Sequence, residues 1–248
     1  MPVSIYVGTA GWSIPKPYAG AFPAEGSHLG RYARQLPAVE INSSFYRPHR
    51  PSTYARWAAS VPPGFRFAVK VPREITHERR LADATAPLER FLGEVAALGD
   101  ALGPLLIQLP PSLAYDGATV RRFLADLRER SGGDLACEPR HPSWFTDAVD
   151  AALSEFRVAR VAADPAVVPR AAEPGGWRGL AYHRLHGSPK VYHSAYPPTA
   201  IGTVARHLSE PGPGPQERWC IFDNTALGEA TGNALDLLSR MNGTDLRD

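Results

Sequence analysis

Short apolar runs recur along the whole chain, separated by longer segments that mix apolar and polar residues. Each run spans four to seven residues, a length typical of strands in a protein core. Eight runs are predicted as strands: Val3–Gly8, Ala38–Ile41, Phe65–Val71, Leu105–Leu109, Leu135–Glu138, Val158–Ala162, Leu180–Leu185 and Trp219–Phe222. Because helix-length segments separate the runs, the strands are expected to be parallel and joined by crossover helices.

The segments between the runs carry apolar residues at spacings of three and four, which predicts helices. They are His28–Leu36, Thr53–Ser60, Pro87–Leu102, Ala118–Arg130, Thr146–Phe156, Thr199–Leu208 and Gly228–Met241. The connection from Asp164 to Arg178 differs, because three prolines and two adjacent glycines disfavour a helix there. The predicted fold class is therefore α/β, a (β/α)8 TIM barrel with a degenerate or missing helix between strands 6 and 7.

Polar residues follow most of the runs, and those of one run lie two positions apart, so they share a face of the strand. The sets are Glu40 with Asn42, Glu138 with Arg140, and Tyr182 with Arg184 and His186. Since the carboxyl ends of all strands meet at one end of a parallel barrel, these side chains are expected to line a site at its C-terminal mouth.

The bulk properties narrow the class of protein. A length of 248 residues is typical of one barrel, so a single domain over residues 1–248 is expected. A formal net charge of +2 argues against binding of nucleic acid by bulk charge alone. No apolar run reaches the length of a membrane-spanning helix, and the N-terminus is predicted as a strand rather than a signal peptide. Cys137 and Cys220 are predicted as buried reduced thiols, which fits a cytoplasmic protein without membrane association.

Three ionisable residues at the carboxyl ends of runs are the candidate catalytic groups. Glu138 is suited to be a general base, and His186 to be an acid, a base or a metal ligand near neutral pH. Asp223 is placed either to orient His186 or to bind a metal.

Further side chains near the same strand ends are candidate ligand-binding groups. An arginine at the mouth can bind an anion in two-pronged fashion, although Arg140 could equally pair with Glu138 or Asp164. Trp144 could stack on a ring or close its helix onto the barrel. The full predicted set is Trp12, Glu40, Asn42, Tyr46, Lys70, His77, Gln108, Arg140, Trp144, Asp164, Tyr182, Arg184 and Asn224.

Lys70 ends the third run with the parity that points it into the barrel. Three roles suit a lysine there: binding of a phosphate or carboxylate, a structural ion pair with Glu40, and formation of a Schiff base. The sequence leaves all three open.

A metal site is the alternative use of the acidic residues. Glu40, Glu138, His186 and Asp223 are suitable ligands by type, but the predicted cations of the mouth would crowd the same space. No Walker loop, Gly-x-Gly-x-x-Gly run, His-Glu-x-x-His or paired-cysteine motif is present. Neither a cofactor nor a bound metal is therefore predicted.

Several segments together resemble the DUF72, or YecE-like, family. They are Gly8-Thr9-Ala10-Gly11-Trp12, Val39 to Tyr46, Phe65 to Lys70 with Ile75-Thr76-His77, Leu102-Gly103-Pro104, Gln108 to Pro111, Glu138 to His141 with Trp144, Tyr182 to Gly187, and Phe222 to Thr225. Ala10 stands where the family often has serine. The resemblance implies a TIM barrel, similar in fold to the endonuclease IV and xylose isomerase group, and implies no particular reaction.

The favoured hypothesis is an enzyme that binds a phosphate-bearing ligand, either a sugar phosphate or a nucleic-acid fragment, and acts by acid/base chemistry. The reaction is either phosphodiester hydrolysis or isomerisation. One alternative is a non-catalytic nucleic-acid-binding protein, and another is a metal-dependent hydrolase or isomerase. The nucleic-acid alternative uses basic residues on the rim: Arg47, His49, Arg50, Arg73, Arg79 and Arg80.

Overall fold

The computed structural model describes residues 3–210 and 215–243, and its ten strands form one sheet. The strands are β1 (Ser4–Ala10), β2 (Ala38–Ile41), β3 (Arg66–Lys70), β4 (Leu102–Gln108), β5 (Leu135–Glu138), β6 (Val158–Arg160), β7 (Ala162–Asp164), β8 (Gly175–Gly176), β9 (Leu180–Leu185) and β10 (Glu217–Phe222). Apart from β8, which pairs antiparallel with β6, the paired strands are parallel. The predicted TIM barrel is confirmed.

The ring closes through the sixth predicted strand, which is divided into β6 and β7. The first half pairs with β5 and the second half with β9, so one chain segment links both sides of the ring. Val161 between the halves still donates its amide to the Cys137 carbonyl at 2.8 Å. The division therefore marks where the segment changes partners.

Eight α-helices of the described residues surround the strands. They are α1 (His28–Tyr32), α2 (Ser43–Tyr46), α3 (Pro51–Ala58), α4 (Thr85–Val95), α5 (Gly117–Arg130), α6 (Asp147–Glu155), α7 (Pro198–Ser209) and α8 (Glu229–Met241). The predicted helix at Pro87–Leu102 ends early, because Gly99 has a φ of 55° and the chain passes through a 3-10 turn before β4. The short α2 and a π-helical turn at Glu74–Glu78 were not predicted.

The connection between β7 and β9 holds no α-helix, as the prolines and glycines predict. A 3-10 turn at Pro169–Ala172 replaces it. Arg160, which is 1% exposed, fixes this segment by donating to Asp150 Oδ1 at 2.7 Å and to the Arg170 and Glu173 carbonyls at 3.1 Å. Buried hydrogen bonds thus take the place of helix packing.

Two apolar layers hold the barrel together. The layer between strands and helices contains most large side chains, and the free thiols of Cys137 and Cys220 are buried in it. Inside the ring, small side chains face large ones, among them Trp219 and Tyr182, which stack at 5.9 Å. Gly103 leaves room for Trp219, since a Cβ there would lie 2.8 Å from the indole. This interior layer supports the polar groups at the mouth.

No helix in the described residues is long and apolar enough to cross a membrane. The sequence also predicts a Pro/Gly-rich surface loop at residues 211–215, of which 211–214 lie outside the described residues.

Candidate functional site

Six polar side chains converge at the carboxyl ends of five strands, and each is at most 7% exposed. We call them the mouth cluster: Glu40, Lys70, Glu138, Arg184, His186 and Asp223. The strands place them there because Ala38, Ala68, Ala136 and Tyr182, two positions earlier in each strand, face the barrel interior. All six belong to the set predicted from the sequence.

Arg184 lies at the centre of the mouth cluster and donates to three carboxylates. Its Nε and Nη2 bind Glu40 Oε2 and Oε1 at 3.0 and 2.7 Å. Its Nη1 binds Glu138 Oε2 at 2.6 Å, and Nη2 also binds Asp223 Oδ2 at 3.1 Å. Burial alone would lower the pKa of Arg184, but the three carboxylates raise it well above its usual value. Its donors already hold the acidic residues in place, and its predicted ligand contact stays a prediction.

Tyr182 lies one layer deeper than Arg184. Its hydroxyl donates to Glu40 Oε2 at 2.9 Å, and its ring stacks on Trp219. Burial and the neighbouring charge of Glu40 raise the pKa of Tyr182 well above its usual value. Tyr182 has no exposed surface and orients Glu40, and its predicted ligand contact stays a prediction.

His186 bridges two carboxylates. Nδ1 lies 2.9 Å from Asp223 Oδ2, and Nε2 lies 3.0 Å from Glu138 Oε1 and 2.5 Å from Arg140 Nη2. A guanidinium only donates, so a neutral ring with its proton on Nδ1 accepts from Arg140 at Nε2. The doubly protonated ring donates to Glu138 instead. The two partners of Nε2 thus match the two protonation states of His186.

Glu138 is held in its ionised form. Burial would raise its pKa, but Arg184, His186 and Arg140 together hold the pKa well below the usual range. Arg140, whose side chain is 14% exposed, forms an ion pair with Glu138. A carboxylate with so low a pKa accepts protons poorly, which argues against Glu138 as the general base.

Lys70 is the cation of the mouth cluster without an ion pair. Its Nζ lies 4.1 Å from the ring centroid of Phe45, and among the described residues no carboxylate oxygen comes within 4.0 Å of it. Burial and then the charge of Arg184 lower the pKa of Lys70 to about 8, against the opposing effect of nearby carboxylates. The structural ion pair with Glu40 is therefore not formed.

Two amide side chains lie next to Lys70 along the ring. Gln108 ends β4 and is half-buried, and Asn42 follows β2. The Asn42 Oδ1 is buried without a hydrogen bond to any residue that the structure describes. The arc from β2 to β4 thus presents polar groups with spare hydrogen-bonding capacity, whereas the carboxylates opposite are largely engaged.

Three predicted ligand residues lie elsewhere. Trp144 is 1% exposed and donates its indole N–H to the Leu113 carbonyl at 2.8 Å, so it closes a turn onto the core. Asn224 donates to the Ser194 carbonyl at 2.9 Å and is fully buried. Asp164 accepts from the Tyr196 hydroxyl at 2.7 Å on the outer face of the barrel. All three bind other groups of the protein, although Asn224 Oδ1 is buried without a hydrogen bond to any described residue, and their ligand-binding roles stay predictions.

Three aromatic or imidazole residues of the predicted set lie on the segments that follow the strands. Tyr46 is 75% exposed and packs edge-on against Phe45, and half-buried His77 lies 4.9 Å from the same ring. Trp12 is half-buried against Trp57 at 5.0 Å. Tyr46 and His77 therefore adjoin the Lys70 side of the mouth.

The rim arginines that favour the nucleic-acid alternative are partly neutralised. Arg73 pairs with Glu78 at 3.3 Å, and Arg79 with Glu74 at 3.4 Å. Arg80 donates to the Ser112 carbonyl at 2.8 Å. A compensated rim attracts a polyanion less than its count of arginines suggests.

The metal-dependent alternative meets a geometric obstacle. The guanidinium of Arg184 occupies the position between the three carboxylates where a divalent cation would have to lie. Within residues 3–210 and 215–243, no group of three or more His, Cys, Asp or Glu side chains is arranged to hold a metal.

One residue of the site was missed from the sequence. Phe45 supplies the ring beneath Lys70, and it lies in the unpredicted helix α2, so strand alternation did not reach it. Tyr192, which the sequence predicts to flank an anion bound after the seventh predicted strand, packs edge-on against His186 at 5.9 Å and is 46% exposed.

Comparison with known proteins shows that the sequence matches a family. Residues 6–247 match the family model described as DUF72, protein of unknown function. The UPF0759 protein YecE of Escherichia coli K12 is 29% identical over 142 residues, 57% of this chain and 50% of that protein. The UPF0759 protein YunF of Bacillus subtilis 168 is 28% identical over 152 residues, 57% of this chain and 52% of that protein. The chain thus spans about half the length of these relatives.

Solved structures share the fold. A DUF72 family protein of Enterococcus faecalis V583 has a TM-score of 0.79 at 22% identity and covers 96% of this chain and 95% of that chain. One from Thermotoga maritima MSB8 has a TM-score of 0.77 at 24% identity, with coverages of 96% and 99%. A xylose isomerase-like TIM barrel/4-hydroxyphenylpyruvate dioxygenase fusion protein has a TM-score of 0.54 at 14% identity and covers all of this chain and 45% of that one. At these identities the likeness concerns the fold alone.

Proposed function

This chain belongs to the DUF72 family, and we propose that the mouth of its barrel is an enzyme active site that binds a phosphate-bearing ligand and exchanges protons with it. The observation that carries the proposal is the buried, unpaired ammonium group of Lys70. Burial of a charge without an ion-pair partner is unfavourable in free energy, and a bound anionic ligand would supply that partner.

The contacts made by the charged groups of the mouth favour an anion over a cation as ligand. All three carboxylates of the mouth cluster bind Arg184, and Glu138 also pairs with Arg140. Among the described residues Lys70 has no carboxylate partner, so its ammonium group remains able to bind an anion.

Hydrogen-bonding capacity supports the same conclusion. Gln108 ends β4 and Asn42 follows β2, the two strands that flank β3, and the N–H groups of both side-chain amides can donate to phosphate oxygens beside Lys70. Phosphate-binding sites of TIM barrels also lie at this end of the strands.

His186 is the residue best placed to move a proton. Its two ring nitrogens contact Asp223 and Glu138, so either protonation state has a partner already in place. Asp223 orients the ring, and Glu138 stabilises the imidazolium electrostatically. Proton exchange at His186 serves either isomerisation or phosphodiester hydrolysis.

Ligand-induced thermal stabilisation tests the proposal. Inorganic phosphate, a sugar phosphate and a mononucleotide are each added to the wild-type protein and to the Lys70→Met variant. We expect at least one phosphate compound to raise the melting temperature of the wild type and none to raise that of Lys70→Met. Arg122→Met, which removes one positive charge from an exposed position of α5, should respond like the wild type. Equal stabilisation of all three proteins would contradict the proposal.

A further inference from the structure

Lys70 differs from the other two lysines of the chain in its surroundings. Lys16 and Lys190 are exposed, whereas Lys70 is 7% exposed and lies against the face of Phe45. No carboxylate of the described residues forms an ion pair with it, and the nearby charge of Arg184 disfavours its ammonium form. A desolvated lysine beside another cation is the arrangement that makes an amine nucleophilic.

We infer that Lys70 forms a reversible imine with an aldehyde or ketone carbonyl of the phosphate-bearing ligand, which makes the substrate class a phosphorylated carbonyl compound. This inference rests on the proposed function for the phosphate group only. The geometry behind it is the contact of Nζ with an aromatic face and the absence of an ion pair.

The step balances without a cofactor. The lone pair of the neutral Nζ attacks the carbonyl carbon, a C–N bond forms, and the π electrons move to oxygen. A proton passes from nitrogen to that oxygen to give a carbinolamine. The C–O bond then breaks, the hydroxyl group leaves as water after gaining a second proton, and the iminium remains. Hydrolysis reverses the sequence.

The iminium suits the same electrostatic site as the ammonium group. It carries one positive charge close to the position of the ammonium, so attraction to the ligand phosphate persists through the reaction. The face of the Phe45 ring stabilises either cation.

Reductive trapping tests the inference on the wild-type chain. The protein is incubated with dihydroxyacetone phosphate at pH 7.5, and sodium borohydride then reduces any imine to a stable amine. Because trypsin does not cut after an alkylated lysine, the modified chain yields the peptide Phe67–Arg73 uncut at Lys70. A pKa of about 8 rather than 10.5 gives Lys70 on the order of 100-fold more neutral amine than an ordinary lysine at this pH. We expect the adduct on Lys70 to exceed that on Lys16 and Lys190 by at least about tenfold.

Dihydroxyacetone without phosphate separates the two proposals. Stronger labelling of Lys70 by the phosphorylated compound supports both. Equal labelling of Lys70 by the two compounds supports the imine and counts against the phosphate site. Phosphate-dependent stabilisation without an adduct on Lys70, or labelling spread evenly over the three lysines, overturns the imine and leaves the phosphate site standing. The readout comes from the wild-type chain, so it does not depend on the folding of a variant.

Discussion

Arg184 and Glu40 form a two-pronged ion pair across the barrel, although 144 residues separate them in the sequence. Neither side chain has exposed surface. Because the same guanidinium also binds Glu138 Oε2 through Nη1 and Asp223 Oδ2 through Nη2, the pair fixes where Glu138 and Asp223 lie. The relationship makes Arg184 the organising residue of the mouth.

Glu40→Gln should destabilise the protein strongly. The substitution leaves Arg184 buried with part of its charge uncompensated, and breaking a buried ion pair from one side costs about 3–5 kcal/mol. The free energy of unfolding from urea denaturation measures the loss. Glu155→Gln breaks the exposed ion pair with Arg121 and should leave the unfolding midpoint unchanged. Similar midpoints for both variants would show that the buried pair contributes little.

Lys70→Met should stabilise the protein at neutral pH. Burial and the charge of Arg184 lower the pKa of Lys70 from 10.5 to about 8, so the folded state holds its proton less tightly than the unfolded chain. The resulting penalty, about 3 kcal/mol, is complete below pH 8 and disappears as the pH rises to 10.5, because the unfolded chain then also loses the proton. Denaturation at pH 7 and pH 10 measures it, and the advantage of the variant should shrink between them. A variant less stable than the wild type at both pH values would indicate a structural ion pair instead.

Binding of a phosphate monoester should weaken as the pH rises through about 8, the value to which burial lowers the pKa of Lys70. Only the ammonium form attracts the dianion, so affinity should fall about tenfold per pH unit above that point. Calorimetric titration between pH 7 and pH 9.5 tests this, because the ligand keeps its charge throughout that range. An affinity of the wild type that does not change with pH would show that Lys70 does not bind the phosphate group.

Phe45→Leu should move the midpoint of that pH profile downward. Leucine keeps the site apolar but removes the ring face that lies 4.1 Å from Nζ. Loss of a cation–π contact, about 0.5–1 kcal/mol, corresponds to roughly half a pH unit in the pKa of Lys70. The same titration series on the variant gives the shift. An unchanged midpoint would mean that the ring merely fills space.

Strand alternation was sufficient to predict much of the mouth. Glu40, Lys70, Glu138 and Arg184 each lie two residues after an inward-facing residue, so their direction follows from the period of a strand. The order of the segments was sufficient to predict the fold, because apolar runs separated by helix-length segments are compatible with few architectures.

Alternation fails where no earlier residue fixes the parity. The sixth run holds only apolar residues and Arg160 before Asp164, and the structure turns Ala159 and Val161 inward, so Asp164 points outward to Tyr196. A local sequence pattern also cannot predict which side chains pair with one another in the folded protein. The period of a strand places Arg184 inside the barrel, but it does not say that carboxylates from three other strands meet its guanidinium.

Gly103→Ala should destabilise the protein, because it overpacks the interior layer beneath the mouth. A Cβ at this position would lie 2.8 Å from the indole of Trp219 and 3.1 Å from the Phe67 carbonyl, and neither can withdraw within the closed ring. Overpacking of this kind costs about 1–3 kcal/mol. The matched control is Gly93→Ala, on the exposed side of α4 where nothing lies within 4 Å, and it should stabilise the protein by about 0.5–1 kcal/mol. In urea denaturation, the changes in the free energy of unfolding are expected to have opposite signs for the two substitutions. An unchanged free energy for Gly103→Ala would mean that Trp219 has room to move and does not rigidly support the tyrosine and carboxylates above it.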